Sequence, residues 1–256
     1  VGHVWDGDIE EWNNPAPKWC LYLYFITIAW AVGYMIVYPG IGAFDGVMGW
    51  SQQGQYEEEV QAAEARYAPI YERFAAMEFE ELAQDQDALA LGGSLFASYC
   101  TTCHGSDARG APGYPNLTDG DWQWGSTEQD IITSITHGRR AVMTPWAQIL
   151  GSDEAVDNMV AHVQSLSGIV DASTVPDSAK TQFTTFCAAC HMPTGTGNTI
   201  LGAPNLTDDT WLYGSDAETI RTAIEQGRNG EMPPHGEFLG DNRVRILAAY
   251  VYSLSQ

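Results

Sequence analysis

Two stretches decide the fold: Cys100-Thr101-Thr102-Cys103-His104 and Cys187-Ala188-Ala189-Cys190-His191. Cys-x-x-Cys-His is the attachment signature of c-type haem. One turn of chain presents both thiols to the two porphyrin vinyl groups, and the adjacent imidazole then reaches the iron. A zinc site would need two further ligands close by. A thioredoxin-like redox pair would need a βαβ setting, which the pattern lacks. The expected cofactors are two covalently bound haem c groups, held by Cys100, Cys103, Cys187 and Cys190, with His104 and His191 on the irons.

Outward from these stretches the sequence repeats. Pro115-Asn-Leu-Thr-Asp119 recurs as Pro204-Asn-Leu-Thr-Asp208. Trp122 answers to Trp211, Gly125-Ser126 to Gly214-Ser215, Gly138-Arg139 to Gly227-Arg228, and Met143 to Met232. The offset is a constant 89 from Pro115 through Met143. Ser126-x-x-Gln129 and Ser215-x-x-Glu218 have the pattern of capping boxes, and each is expected to open a helix that ends at Gly138 or Gly227. Val156, Met159, Val160, Val163 and Leu166 form a helical stripe that Val244, Leu247, Ala248, Val251 and Leu254 repeat. No alternating strand pattern is read.

Met143 and Met232 are the expected second axial ligands. A thioether is a soft ligand, and His/Met ligation raises the reduction potential and leaves no open site on the iron. His137 and His235 are weighed as alternatives, but each breaks the symmetry of the repeat, facing Gln226 and Trp146. Met192 is adjacent to His191 and is expected to point away, and Met159 to lie in a core. With two similar domains side by side, Met143 could serve the iron held by His191 and Met232 the iron held by His104; the pattern leaves both pairings open.

Arg139 and Arg228 are matched cations, read either as haem propionate partners or as cations at a helix C-terminus. Pro115 and Pro204 offer carbonyls that would fix the tautomer of the axial imidazoles, or simply form turns. Trp122 and Trp211 are expected to pack on the haem edge.

Trp19 to Tyr38 carries no charge over 20 residues. As a helix it would be about 30 Å long, the thickness of a bilayer's hydrocarbon core. Trp19, Tyr22, Tyr34 and Tyr38 lie toward its ends, and Pro39-Gly40 closes it. Lys18 places the N-terminus in the cytoplasm by the positive-inside rule, and Cys20 is read as a small hydrophobe. Residues 57–82 are Glu-rich, with Val60, Ala63, Tyr67, Ile70, Tyr71, Phe74 and Met77 at helical spacing. A linker helix with a solvated acidic face is expected there; a partner-docking helix is the sharper alternative. Pro69 is expected to break or kink it near Ala68. The sequence opens at Val1, and no secretory signal with a small-residue cleavage site is read.

The charge is lopsided. Eleven Lys+Arg stand against 33 Asp+Glu, a formal −22. That excludes a nucleic-acid binder, which needs a basic footprint, and leaves a surface suited to steering a basic partner. The 45% apolar share supplies real cores and excludes general disorder.

Together these residues resemble the membrane-anchored dihaem cytochrome c subunit of cbb3-type oxidases. Gly2-His3-Val4-Trp5-Asp6-Gly7, Glu10-Glu11, Asn13-Asn14-Pro15 and Tyr38-Pro39-Gly40 carry the resemblance beyond the haem signatures. It implies an all-α fold, one N-terminal transmembrane helix followed by two tandem class I cytochrome c domains. The expected division is a cytoplasmic segment 1–17, a transmembrane helix 18–40, an acidic linker 41–86, and cytochrome c domains 87–168 and 175–256. Some members carry an additional N-terminal span, and one span is read here. The resemblance implies a single-pass protein of the bacterial inner membrane, with haem domains in the periplasm. It implies electrons received from a periplasmic cytochrome c and passed to a monohaem cytochrome c subunit and a haem–copper catalytic subunit, with no substrate-converting site of the chain's own. His104, Met143, His191 and Met232 are then the axial ligands. A free-standing membrane-anchored dihaem shuttle is the alternative. A dihaem peroxidase or a gas sensor would need an open iron, against which two matched methionines speak.

Overall fold

A computed structural model describes residues 4–10, 14–40 and 42–256 of the chain. Gly2, His3, Glu11 and Asn13 of the N-terminal pattern therefore lie outside the described residues. The chain divides into two compact units, Val1–Pro69 and Ile70–Gln256.

In the first unit, β1 (Val4–Trp5) pairs antiparallel with β2 (Ile9–Glu10). Helix α1 (Lys18–Val37) follows Pro17 and includes Cys20, which is exposed. None of its residues is buried against the chain, and its mean hydropathy is 1.9. A helix this apolar, with no residue buried against the chain, is long enough to cross a membrane. Helix α2 (Gln52–Ala75) opens where Ser51 Oγ accepts from Gly54 N at 3.0 Å. The expected break at Pro69 does not occur: α2 is continuous from Gln52 to Ala75 and includes Pro69. Proline forgoes one i→i−4 bond, here to Ala65, and the good helix formers around it outweigh that loss. The helix starts and stops earlier than 57–82. Along its apolar stripe only Phe74, in the last turn, is buried, while Val60, Ala63, Tyr67 and Ile70 are exposed.

The second unit holds the repeats. After α3 (Phe79–Leu82), the first contributes α4 (Gln86–Tyr99), α5 (Thr101–His104), α6 (Glu128–His137), β3 (Arg139–Met143), α7 (Ala147–Leu150) and α8 (Asp153–Leu166). From the second come α9 (Asp177–Gln182), a π-helical segment Phe183–Cys187, α10 (Ala188–His191), α11 (Ala217–Gln226), β4 (Arg228–Met232), α12 (Gly236–Leu239) and α13 (Asp241–Ser253). The unit is helical as expected. The added feature is a strand pair: β3 and β4 run antiparallel with Ala141 opposite Gly230. Neither strand has the alternating hydrophobicity that marks a strand by itself, since Arg228-Asn229-Gly230-Glu231-Met232 is mostly polar.

The helix caps fall one residue later than the serine patterns suggest. Thr127 Oγ1 accepts from Asp130 N, and Asp130 Oδ2 from Thr127 N, both at 3.2 Å, a complete capping box. Asp216 Oδ1 accepts from Thr219 N at 2.9 Å. Ser126 and Ser215 are one position too early to reach those donors. Both helices end as expected at Gly138 and Gly227, with φ of +71° and +76°. A Cβ at Gly138 would strike the carbonyl of Met232, and one at Gly227 the carbonyl of Met143.

The two cores exchange partners between repeats. Phe96 of α4 and Ile131 and Ile135 of α6 pack with Val244, Ile246 and Leu247 of α13, the last helix of the second repeat. Phe183 and Ile220 and Ile224 of α11 pack with Val156, Met159, Val160 and Val163 of α8, the last helix of the first. Tyr250 lies so close over α4 that a Cβ at Gly92 would come within 2.5 Å of its own Cβ. The repeats follow one another in sequence, while the units of packing each combine the front of one repeat with the back of the other.

Candidate functional site

Each core encloses a cavity of about 350 Å³. The first is lined by Cys100, Cys103, His104, Trp122, Arg139 and Met232. The second is lined by Cys187, Cys190, His191, Trp211, Arg228 and Met143. Of the two pairings left open by the sequence, the packing brings together the crossed one. The partner exchange explains it: β4 leads into α12 against α6, and β3 leads into α7 against α11. His235 N donates to Ile135 O at 2.9 Å, and its counterpart Trp146 N to Ile224 O at 2.8 Å. These bonds hold each methionine loop on the other repeat's helix.

The histidines are oriented by the repeated Pro-Asn-Leu-Thr-Asp turn. Asn116 Oδ1 accepts from Thr118 N and Oγ1 at 2.9 and 2.8 Å, and Asn205 Oδ1 from Thr207 N and Oγ1 at 3.1 and 2.7 Å. That turn aims the proline carbonyl at the ring. His104 Nδ1 lies 3.2 Å from Pro115 O, and His191 Nδ1 3.1 Å from Pro204 O. A carbonyl only accepts, so Nδ1 carries the proton and Nε2 keeps its lone pair. Burial lowers the pKa of both imidazoles, against the opposing pull of those carbonyls. Burial, with a second thiol nearby, pushes the Cys100 and Cys187 thiols up to about 11. Cys100 and Cys187 are therefore neutral thiols, and each cavity presents an imidazole with its lone pair available. None of the five cysteines is in a disulfide, and the described residues contain no His/Cys/Asp/Glu cluster able to hold a metal ion.

Both arginines line their cavities as well as bonding to a helix. Arg139 Nη2 donates to Asp130 O and Arg228 Nη2 to Thr219 O, each at 3.1 Å. Arg139 Nε also donates to Ser134 Oγ at 2.8 Å. The position matching Ser134 is Ala223, so Arg228 Nε is buried with no partner. An unpaired buried donor of a cation is costly, and an anionic group in the cavity would satisfy it. An apolar chamber with two thiols, an imidazole, a thioether and a guanidinium suits haem c with its propionates.

Other expected residues fall elsewhere. His137 is exposed at the end of α6, and Met192 is 41% exposed, away from the lining. His235 lines the first cavity beside Met232, while its Nδ1 pairs with Pro233 O at 2.7 Å. Met159 is a core residue that also lines the second cavity. Two matched residues escaped notice in the sequence. Trp124 lies under Arg139 and Tyr213 under Arg228, 4.8 and 4.4 Å from guanidinium carbon to ring centroid. They share the offset of 89, and that signal would have found them.

A Cys-x-x-Cys-His turn facing a thioether across an apolar chamber defines a cytochrome c domain, and the second unit contains two. Residues 87–163 and 175–251 both match the family described as cytochrome c oxidase, cbb3-type, subunit III. Residues 1–45 match the N-terminal domain of cytochrome oxidase-cbb3, FixP. A cbb3-type cytochrome c oxidase subunit CcoP from Rubrivivax gelatinosus is 43% identical over all of this chain and 84% of its own length. Similar proteins are subunit CcoP of Cereibacter sphaeroides and subunit FixP of Rhizobium meliloti, each 37% identical over 99% of this chain and 93% of their own. The chain belongs to the CcoP/FixP family of cbb3-type cytochrome c oxidase subunits.

Proposed function

We propose that this chain is the electron-input subunit of a cbb3-type oxygen reductase, relaying electrons from a periplasmic cytochrome c through two covalent haem c groups to the other oxidase subunits. The observation that carries this reading is the pair of matched cavities, each joining a Cys-x-x-Cys-His turn to a methionine of the opposite repeat. The haem iron, when bound, supplies a one-electron ferric/ferrous couple. Cys100 and Cys103 hold one group and Cys187 and Cys190 the other. His104 with Met232, and His191 with Met143, would hold the two irons, each iron taking one ligand from each repeat. Pro115 and Pro204 hold the imidazole tautomer, and Arg139 and Arg228 would pair with the propionates. With α1 as anchor and Lys18 on the cytoplasmic side, the domains stand in the periplasm, where thioether bonds are made and where their acidic surface steers a basic donor.

Purification of the native protein in gentle detergent tests this. Co-purifying b-type haem and copper, with cyanide-sensitive, cytochrome c-driven oxygen uptake, is the expected result. A c-haem protein without b haem, copper or oxygen uptake, under conditions that keep such oxidases intact, would make it a free-standing shuttle.

A further inference from the structure

The two cavities share a wall. Ala141, Gly230 and Leu212 line both of them. Ala141 and Gly230 are the central pair of the β3–β4 ladder and occupy equivalent positions in the two repeats. The approximate two-fold axis relating the repeats therefore passes between them. Successive strand residues face opposite sides. Positions 139, 141, 143, 228, 230 and 232 are the half-buried set, and 140, 142, 229 and 231 the exposed one.

The glycine at 230 is not required by the backbone, whose φ lies outside the left-handed region. Nor is it required by crowding: a Cβ there would meet only Tyr213 Oη, at an ordinary 3.7 Å. The surroundings are braced. Gly113 N donates to Leu212 O at 2.8 Å, Thr210 Oγ1 to Asp121 Oδ2 at 2.5 Å, and Gln123 Nε2 to Gly202 O. A wall fixed on its flanks, with nothing larger than a methyl at the centre of its ladder, brings whatever fills the two cavities close together.

We infer that Ala141 and Gly230 set the separation between the two haem groups, and that their small size keeps the groups close enough for direct exchange. The inference rests on the two-haem reading above. Exchange across this wall moves a single electron: a one-electron oxidation on one side is matched by a one-electron reduction on the other. No bond is made or broken, and no proton moves.

The test uses the full-length, haem-loaded protein in detergent. Covalent haem per chain and the methionine–iron charge-transfer band are read first. Magnetic coupling between the two ferric haems is then read by electron paramagnetic resonance, and their mutual redox interaction by potentiometric titration. The wild type and Gly230→Ala are expected to show both couplings. Gly230→Phe is expected to lose them while retaining two haems and both bands. Asn229→Phe, on the outward face of the same strand, is expected to change nothing. If Gly230→Phe loads only one haem, Ala141→Leu is read in its place. A loaded bulky variant with undiminished coupling, or a wild type with two haems and no coupling, overturns the inference. A wild type with fewer than two covalent haems overturns the two-haem reading itself, before any coupling is measured.

Discussion

The two cytochrome modules are built from one repeated pattern, yet their surroundings differ. The first core is enlarged by Phe74, Phe79 and Leu82, which the second lacks. Asp119, Asp121 and Glu231 line the first cavity, whereas the residues lining the second include no carboxylate. Thr210 stands where Asp121 does, and Val142 where Glu231 does. Arg139 has Ser134 as a partner; Arg228 faces Ala223 and keeps a bare Nε. The repeat thus carries the candidate ligands, and what does not repeat sets the environment of each cavity.

The sharpest break in the comparison would come from the thiols. Cys190→Ala should abolish normal attachment at the second site alone, lowering covalent haem stoichiometry on a denaturing gel while the first site stays loaded. The partner exchange is tested next. Met159 and Ile246 are each 1% exposed, and truncating such a side chain to alanine costs about 2–5 kcal/mol. Met159→Ala should loosen the site of His191, although it lies in the repeat of His104, and Ile246→Ala the reverse. Site-resolved hydrogen exchange would show which module opens.

Ligand replacement sharpens the crossing further. Met143→His should lower the potential of the haem attached at Cys187 and Cys190, and Met232→His that of the haem at Cys100 and Cys103. Redox titration of chains lacking one attachment site would assign each shift; a shift within the same repeat would break the crossed assignment. Ser134→Ala should leave Arg139 as under-bonded as Arg228, costing about 1 kcal/mol in chemical denaturation. The smallest effect is expected from Asp121→Thr. It removes an exposed negative charge that favours the ferric state, so the first haem's potential should rise slightly, and less so at high salt.

Legibility followed locality. The haem signatures, the candidate methionines, the orienting prolines and the apolar span were all readable because each is a contiguous pattern with its own chemistry. The caps at Thr127 and Asp216 were missed by one residue, because several adjacent polar residues can cap and only the chain's entry angle selects among them. The passage of α2 through Pro69 was missed because a single lost hydrogen bond is weighed against the whole helix.

By itself, the sequence determined two repeated modules, an apolar span, and a thioether matched to each histidine. Only the tertiary structure decided which methionine lines which cavity and which last helix packs in which core. The stripes of α8 and α13 are nearly interchangeable as patterns, so periodicity cannot tell self from partner. The choice is made by the β3–β4 ladder, whose polar residues carry no strand signal and whose stability comes from pairing with each other. By joining the repeats at Ala141 and Gly230, it sends each chain segment across to the opposite core.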